Sequence, residues 1–182
     1  EVVSNYVITP TGTLIDGLLM GKTLDPDWDP NTPLTVTYSF ISLGVTHLSS
    51  KVNDYVGGSA LDPESYNFRQ NTIEILNYLS ELLGITFVEV QESDIAVGDI
   101  RFLLFESDPD DVEFSGVAFS ADVGYSQLFD SSLDSDILIN VTGNGQPFGF
   151  EKGSYGYNTI LHEIGHVLGL SHGQDSETVY YW

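Results

Sequence analysis

The stretch 162–172 constrains what this chain can do more than any other part of it. It reads H-E-x-x-H-x-x-G-x-x-H. On a helix, residues four positions apart share one face, so His162 and His166 present their imidazoles side by side. Two imidazoles in this arrangement can occupy two corners of a tetrahedral zinc site. The spacing therefore predicts a helix with zinc as its cofactor.

The other fixed positions of this motif predict a hydrolytic centre. Glu163 is poorly placed to bind the metal beside its neighbour, but it can take a proton from a zinc-activated water. Gly169 tolerates a positive φ, so the helix can end there and the chain can turn back. His172 then supplies a third ligand, and the fourth position stays open for water, as in catalytic zinc sites. We expect Glu163 to act as general base, with three zinc ligands: His162, His166 and His172.

Composition narrows the class of protein. The 182 residues are enough for one domain with a real core, and a hydrophobic fraction of 41% is typical of a globular chain. The formal net charge of −22, from 27 acidic and 5 basic side chains, opposes binding to nucleic acid or anionic lipid. No apolar run is long enough to cross a bilayer. We expect a monomer with no nucleic-acid partner and no membrane partner.

The chain contains no cysteine. Disulfides, cysteine zinc ligands and latency through a cysteine switch are therefore excluded. No basic leader precedes Glu1, so we expect either a processed mature chain or export without a cleaved N-terminal signal. Extracellular proteins without disulfides are common among bacterial exports, and the expected location is extracellular and bacterial.

Local patterns predict the order of the elements. Segments rich in β-formers, of which the first also alternates, indicate strands at residues 34–40, 85–90, 99–105, 116–120 and 136–141. A helix is predicted to start at Asp62-Pro63-Glu64 and to end at Gly84. Its apolar stripe comprises Phe68, Thr72, Ile75, Leu76, Leu79, Leu82 and Leu83. The motif helix is expected to start near Asn158 or Thr159 and to bury Ile160, Leu161, Ile164, Val167 and Leu168. A strand, a long helix and a further strand favour a mostly parallel sheet.

Two features outside the motif have open interpretations. Residues 106–113 (ESDPDDVE) could hold a calcium ion through carboxylate oxygens, although a solvated turn explains the same charges. His47 is the one histidine outside the motif, and we expect it to be a surface or loop residue.

The motif resembles the signature of the metzincin zinc endopeptidases. Further stretches, in the same order, are similar to the serralysin branch of that superfamily: residues 17–21, 34–40, 85–90, 99–102, 136–140 and 153–156. The resemblance implies an α+β metzincin-like catalytic domain. Its five-stranded, twisted, mostly parallel sheet would pack on a long helix and on the active-site zinc helix. Residues 1–182 would form this single zinc-protease domain, with an N-terminal subdomain at 1–169 and the start of a short C-terminal subdomain at 170–182.

The resemblance also implies how substrates bind. An edge strand would pair with an extended protein or peptide substrate, and it would consist of Gly116, Val117, Ala118, Phe119 and Ser120. Such pairing reads main chain more than side chains and suits broad specificity. The implied activity is zinc-dependent endopeptidase activity.

The chain departs from the serralysin pattern in three places. Gly173 follows the third histidine where proline is usual, and the C-terminal calcium-binding β-roll of that branch is absent. The methionine-containing turn expected beneath the zinc is also missing, since the single methionine is Met20. Two explanations remain open. The chain is truncated before that turn, or Val179 replaces the methionine and Tyr181 approaches the zinc to stabilise the oxyanion.

These departures motivate two alternative functions. One is a non-catalytic metzincin-like zinc module, or an inactive fragment of a larger surface or secreted protein, which would bind zinc without turnover. The other is an acidic, calcium-dependent interaction domain, which would bind little zinc.

Overall fold

A computed structural model of the chain describes residues 35–41, 60–93, 97–107, 115–118, 136–142, 149–168 and 170. These residues form a five-stranded sheet and two α-helices. The strands are β1 (Thr35–Phe40), β2 (Thr86–Glu89), β3 (Ile100–Phe105), β4 (Gly116–Ala118) and β5 (Asp136–Asn140). The helices are α1 (Phe68–Leu83) and α2 (Tyr155–Val167). The predicted α+β class is confirmed, and each predicted strand is present, with ends that differ from the prediction by at most one residue where the structure describes them. Leu34, Phe119 and Ser120 of the predicted strands lie outside the described residues.

The sheet has the strand order β2-β1-β3-β5-β4. Every neighbouring pair is parallel except β4 and β5, which are antiparallel. The prediction of a mostly parallel sheet is therefore confirmed. Strands β2 and β4 occupy the two edges, so β4 has one side that no strand of the described sheet covers.

The central strands β3 and β5 are buried on both faces, as their nearly continuous apolar sequences predict. Alternate side chains of β3 belong to different clusters. Phe102 and Leu104 pack with residues of both helices, whereas Leu103 and Phe105 pack on the opposite face with Leu138. Both helices thus lie against one face of the sheet and share a single core with it.

The predicted start of α1 at Asp62-Pro63 is wrong. Asp62 forms a turn instead, in which its Oδ1 accepts a hydrogen bond from the Glu64 N–H at 2.9 Å. Tyr66 and Asn67 then adopt positive φ angles of 57° and 56°. The left-handed region is incompatible with a continuous right-handed helix, so α1 begins at Phe68.

The other end of α1 matches its prediction more closely. Gly84 ends the helix with a φ of 71°, and its N–H donates to the Ser80 carbonyl at 2.9 Å. All residues of the predicted apolar stripe lie on the helix, and the stripe is buried up to Leu79, whereas Leu82 and Leu83 are exposed. Exposure along the stripe rises from 0% at Ile75 to 8% at Leu79 and 63% at Leu82. The last turn of the helix therefore extends beyond the core.

A buried ion network lies on the face of the sheet away from the helices. Arg101 of β3 is 1% exposed and forms two bonds to the Glu92 carboxylate, at 2.7 and 3.2 Å. Its third nitrogen lies 3.5 Å from Asp136 Oδ2 on β5. Ser39 of β1 donates to Glu92 Oε1 at 2.9 Å, so the network joins three neighbouring strands. Removing one partner of such a network leaves buried charge uncompensated, which typically costs about 3–5 kcal/mol.

Candidate metal centre and active site

Helix α2 carries the first two histidines of the motif, and its start differs from the prediction. Ser154, rather than Asn158 or Thr159, is the N-cap residue, because its Oγ accepts a hydrogen bond from the Tyr157 N–H at 3.2 Å. The same hydroxyl donates to the Gly149 carbonyl at 2.5 Å. The helix therefore begins about one turn earlier than predicted, and Ser154 also ties it to Gly149.

The buried face of α2 decides where the motif side chains lie. Ile160 and Ile164 are fully buried and Val167 is 6% exposed, as predicted, whereas Leu161 and Leu168 are only partly buried. Their packing against the sheet fixes the rotation of the helix about its axis. The predicted i, i+4 pair is consequently turned out of the core, with His162 exposed and His166 partly exposed.

The two imidazoles converge on one point. The Nε2 atoms of His162 and His166 are 2.9 Å apart, and the ring planes are nearly perpendicular, at 89°. Two ring nitrogens at this distance need a proton or a cation between them. Ligands of one tetrahedral zinc, with Zn–N bonds near 2.05 Å, are about 3.3 Å apart. A small side-chain rotation would therefore bring this pair to the spacing of zinc ligands.

The tautomer of His166 also suits a metal ligand. Its Nδ1 lies 2.8 Å from the Leu170 carbonyl oxygen. A carbonyl oxygen only accepts, so Nδ1 donates its proton, and Nε2 of the neutral ring keeps its lone pair. The Leu170 N–H in turn donates to the Gly165 carbonyl at 2.9 Å, which holds Leu170 against the end of α2. Orienting contacts of this kind are typical of metal-binding histidines.

Glu163 points in a different direction from its neighbours. It is 6% exposed and lies between α2 and the edge strand β4. Burial raises the pKa of its carboxyl above the ordinary value, while the nearby His166 and a hydrogen bond from the Ala118 N–H lower it in part. A carboxylate held by a backbone N–H beside a pair of imidazoles can accept and return a proton near them.

The edge strand β4 presents backbone groups beside this carboxylate. The Asn140 N–H donates to the Ser115 carbonyl at 3.0 Å, so the opposed residues 115 and 140 form a hydrogen-bonded pair. In an antiparallel ladder such pairs alternate, which directs the N–H and C=O groups of Gly116 and Ala118 away from β5. The N–H and C=O groups of Gly116 and Ala118 therefore point to the open edge of the sheet. The Ala118 N–H donates a hydrogen bond to the Glu163 carboxylate.

Several predicted site residues lie outside the part of the chain that the structure describes. They are His47, residues 108–113 of the acidic loop, Phe119, Ser120, Gly169, His172 and Tyr181. Among the described residues, no group of three metal-ligating side chains comes together. The predicted third ligand, His172, falls in the region that is not described.

Two contacts of the site have no signal in the sequence. The Leu170 carbonyl and the Ala118 N–H are backbone groups, and no residue type marks them. Ser154 could have been recognised, because a serine that follows glycine and precedes a helical pattern is a preferred N-cap.

Comparison with known proteins places this site in a family. No helix within the described ranges is long and apolar enough to span a membrane. A search of curated proteins finds no match. The sequence profile of the matrixins, a family of peptidases, matches residues 28–182, which is more than four fifths of the chain. The chain therefore belongs to the matrixin family and is a metzincin-type metallopeptidase domain, for which the family implies zinc as cofactor and proteins or peptides as substrates.

Proposed function

We propose that this chain is a zinc-dependent endopeptidase in which His162, His166 and His172 bind the metal and Glu163 is the general base. The observation that carries the proposal is the convergence of the first two imidazoles at 2.9 Å, with the Glu163 carboxylate buried on the same helix. A structural histidine pair would need no buried carboxylate between its members in the sequence. Membership of the matrixin family adds zinc chemistry to this arrangement.

The histidines are suited to holding the metal. The Leu170 carbonyl fixes the His166 tautomer, so Nε2 is ready to bind without a prior proton shift. His162 approaches from the preceding turn of the same helix, and His172 would complete the set of three. Zinc, when bound, supplies Lewis-acid chemistry that polarises a carbonyl group and lowers the pKa of water.

Glu163 handles the proton during hydrolysis. Its carboxylate accepts the proton of the water that attacks the scissile carbonyl and delivers it to the leaving nitrogen. Burial favours the neutral form of the group and so favours its uptake of a proton. The Ala118 N–H keeps the carboxylate beside the edge strand, where the scissile bond of a bound chain would lie.

Substrates bind along β4 as an added strand. Gly116 and Ala118 direct backbone groups toward the open edge, and an extended peptide can pair with those that remain unused. The binding strand runs from Gly116 to Ser120 in this proposal. Because main-chain groups carry the pairing, specificity for substrate side chains is broad.

The finer assignments rest on the resemblance described above. We infer a serralysin-like member of the family, secreted from a bacterium and acting as a monomer. Tyr181 would approach the zinc and stabilise the oxyanion. The carboxylates of residues 106–113, which do not enter the resemblance, would either form a solvated turn or hold a calcium ion. The net charge of −22 suits a protein that remains dispersed outside the cell.

A second candidate is a zinc module without turnover. The feature that motivates it is the position of the single methionine of the given sequence, Met20, which precedes the motif by more than one hundred residues. A metal site that lacked a methionine turn beneath it would bind zinc without supporting hydrolysis.

One experiment separates these functions. Casein cleavage and zinc content are measured on the same sample, before chelation, after chelation and after zinc is returned. One zinc per chain with cleavage that the chelator abolishes supports the endopeptidase. One zinc without cleavage supports the zinc module, and absence of zinc contradicts both.

The histidines give this experiment a matched pair of variants. His172→Ala should lower zinc affinity by at least about tenfold, because it removes a predicted ligand. His47→Ala makes the same change at the one histidine outside the motif and should leave zinc content unchanged. Equal zinc binding by the two variants would contradict the assignment of His172.

A further inference from the structure

The residues of β4 that face α2 are small, whereas the residue on the other face of the sheet is larger. Gly116 and Ala118 point toward α2, whereas Val117 points to the other face of the sheet and packs with Leu103 and Leu138. The two positions that face the helix therefore hold the two smallest residue types. Small residues allow the backbone of an edge strand to lie directly on a helix.

Gly116 has no space for a side chain. A β-carbon at this position would lie 2.6 Å from Thr159 Cγ2, 2.9 Å from Glu163 Oε1 and 3.0 Å from Glu163 Cγ. Carbon atoms in good van der Waals contact are about 3.5–4.0 Å apart, so these distances are too short by about half an ångström or more. Thr159 cannot turn aside freely, because its Oγ1 donates to the Tyr155 carbonyl at 3.0 Å. The backbone of β4 thus rests on the side chain of Glu163.

We infer that Gly116 is a positioning residue for Glu163: the missing side chain lets β4 pack against the carboxylate and hold it in register with the edge strand. The inference rests on the proposed endopeptidase function and deepens it.

Two contacts from the same strand restrict the carboxylate. The Gly116 backbone blocks movement of Glu163 toward β4, and the Ala118 N–H, two residues further on, binds the carboxylate. Both contacts come from the strand proposed to bind substrate. This strand therefore fixes the position of the general base relative to the scissile bond. A side chain at 116 would push the strand and the carboxylate apart, and misplacement by about 1 Å can reduce turnover about 100-fold.

The first test measures the contact without any activity. Melting temperatures of the zinc-free protein are compared in a double-mutant cycle of Gly116→Ala and Glu163→Ala. Because Glu163→Ala removes the atoms that the new β-carbon meets, Gly116→Ala should cost less in that background, by at least about 2 °C. Strictly additive losses would overturn the inference.

The second test measures turnover of a peptide substrate by the zinc-loaded protein. Gly116→Ala should lower kcat by about 10–100-fold, with KM within about twofold of wild type and one zinc still bound. The matched control is Gly156→Ala, which places a β-carbon 2.5 Å from the Gly149 carbonyl oxygen, at the start of the same helix and away from Glu163. The control should lose stability and keep its kcat.

The outcomes are distinguishable. An active wild type with unchanged kcat in Gly116→Ala overturns the inference and leaves the proposed function intact. Equal losses of kcat in Gly116→Ala and Gly156→Ala also overturn it, because general destabilisation then explains both. A zinc-loaded wild type that cleaves nothing overturns the proposed function and, with it, the inference.

Discussion

The Glu163 carboxylate is buried, which costs free energy, and it makes specific contacts with neighbouring groups. A carboxylate that is 6% exposed loses most of its hydration, and burial accordingly raises the pKa of this group. The hydrogen bond from the Ala118 N–H and the nearby imidazole of His166 favour the charged form and so offset part of the effect of burial on this pKa. Groups held in this way at the expense of stability are found mainly at functional sites.

Replacing Glu163 should separate metal binding from hydrolysis. Glu163→Gln keeps the volume of the side chain and removes its ability to accept a proton. We expect one zinc per chain and a kcat lowered by about 100- to 10,000-fold, measured on a peptide substrate with metal analysis of the same sample.

Glu151→Gln is the matched control, because it makes the same change at an exposed carboxylate before α2 and should leave kcat unaltered. Turnover near the wild-type rate in Glu163→Gln would contradict its role as general base.

Burial of Tyr38 limits the stability of the fold at alkaline pH. It lies in the core of β1 at 6% exposure, and burial, reinforced by the negative charge of Glu89, raises its pKa above 10.0. The folded chain therefore keeps a proton that the unfolded chain releases. The contribution of Tyr38 to stability is complete below about pH 10 and is lost as the pH rises through the folded-state pKa.

As the pH rises into the alkaline range, the free energy of unfolding should fall less for Tyr38→Phe than for wild type. Urea unfolding at about pH 9 and about pH 11 measures the difference, with Tyr78→Phe as the control because Tyr78 is 51% exposed. If both variants followed wild type, burial of Tyr38 would not limit alkaline stability.

At the scale of elements, the N-cap of α2 stabilises the helix that is proposed to bind the metal. Ser154→Ala should destabilise the protein by about 1–2 kcal/mol, because it removes the acceptor for the Tyr157 N–H and the donor to the Gly149 carbonyl. Asn158→Ala, at the predicted but incorrect cap, should change stability little, since Asn158 is an exposed residue within the helix. Denaturant unfolding of the two variants decides between the two cap positions.

The predicted elements were found where local sequence and burial agree. Strand β3 is apolar enough to be recognised anywhere in the chain, and the motif histidines are four residues apart, as one helical face requires. The start of α1 was missed because Tyr66 and Asn67, neither of them glycine, turn left-handed just after a good capping sequence. The helical spacing of the apolar residues also does not show that Leu82 extends beyond the core, because burial depends on which elements pack against that turn of the helix.

Contacts between distant elements account for the rest of what the sequence left open. The strand order β2-β1-β3-β5-β4 and the approach of Gly116 to Glu163 join residues far apart in the chain. Nothing in a strand of three residues reveals which helix it touches.

At the scale of the whole molecule, metal binding should stabilise the fold by mass action. Zinc at 100 times its dissociation constant adds about 2.7 kcal/mol, which raises the melting temperature of a chain of this size by about 5–10 °C. Thermal unfolding with and without a chelator measures this shift. His162→Ala should abolish it, and a zinc-dependent shift of full size in that variant would show that the metal binds elsewhere.

The order of the elements along the chain has a consequence for biosynthesis. The five strands within the described ranges all precede α2, since β5 ends at Asn140 and α2 begins at Tyr155. Domains generally fold as units during synthesis. Side chains of α2 belong to the same core as the sheet, so the sheet cannot complete its packing until this helix has been synthesised. In the proposed peptidase, the metal site would therefore form only after all the described strands have left the ribosome.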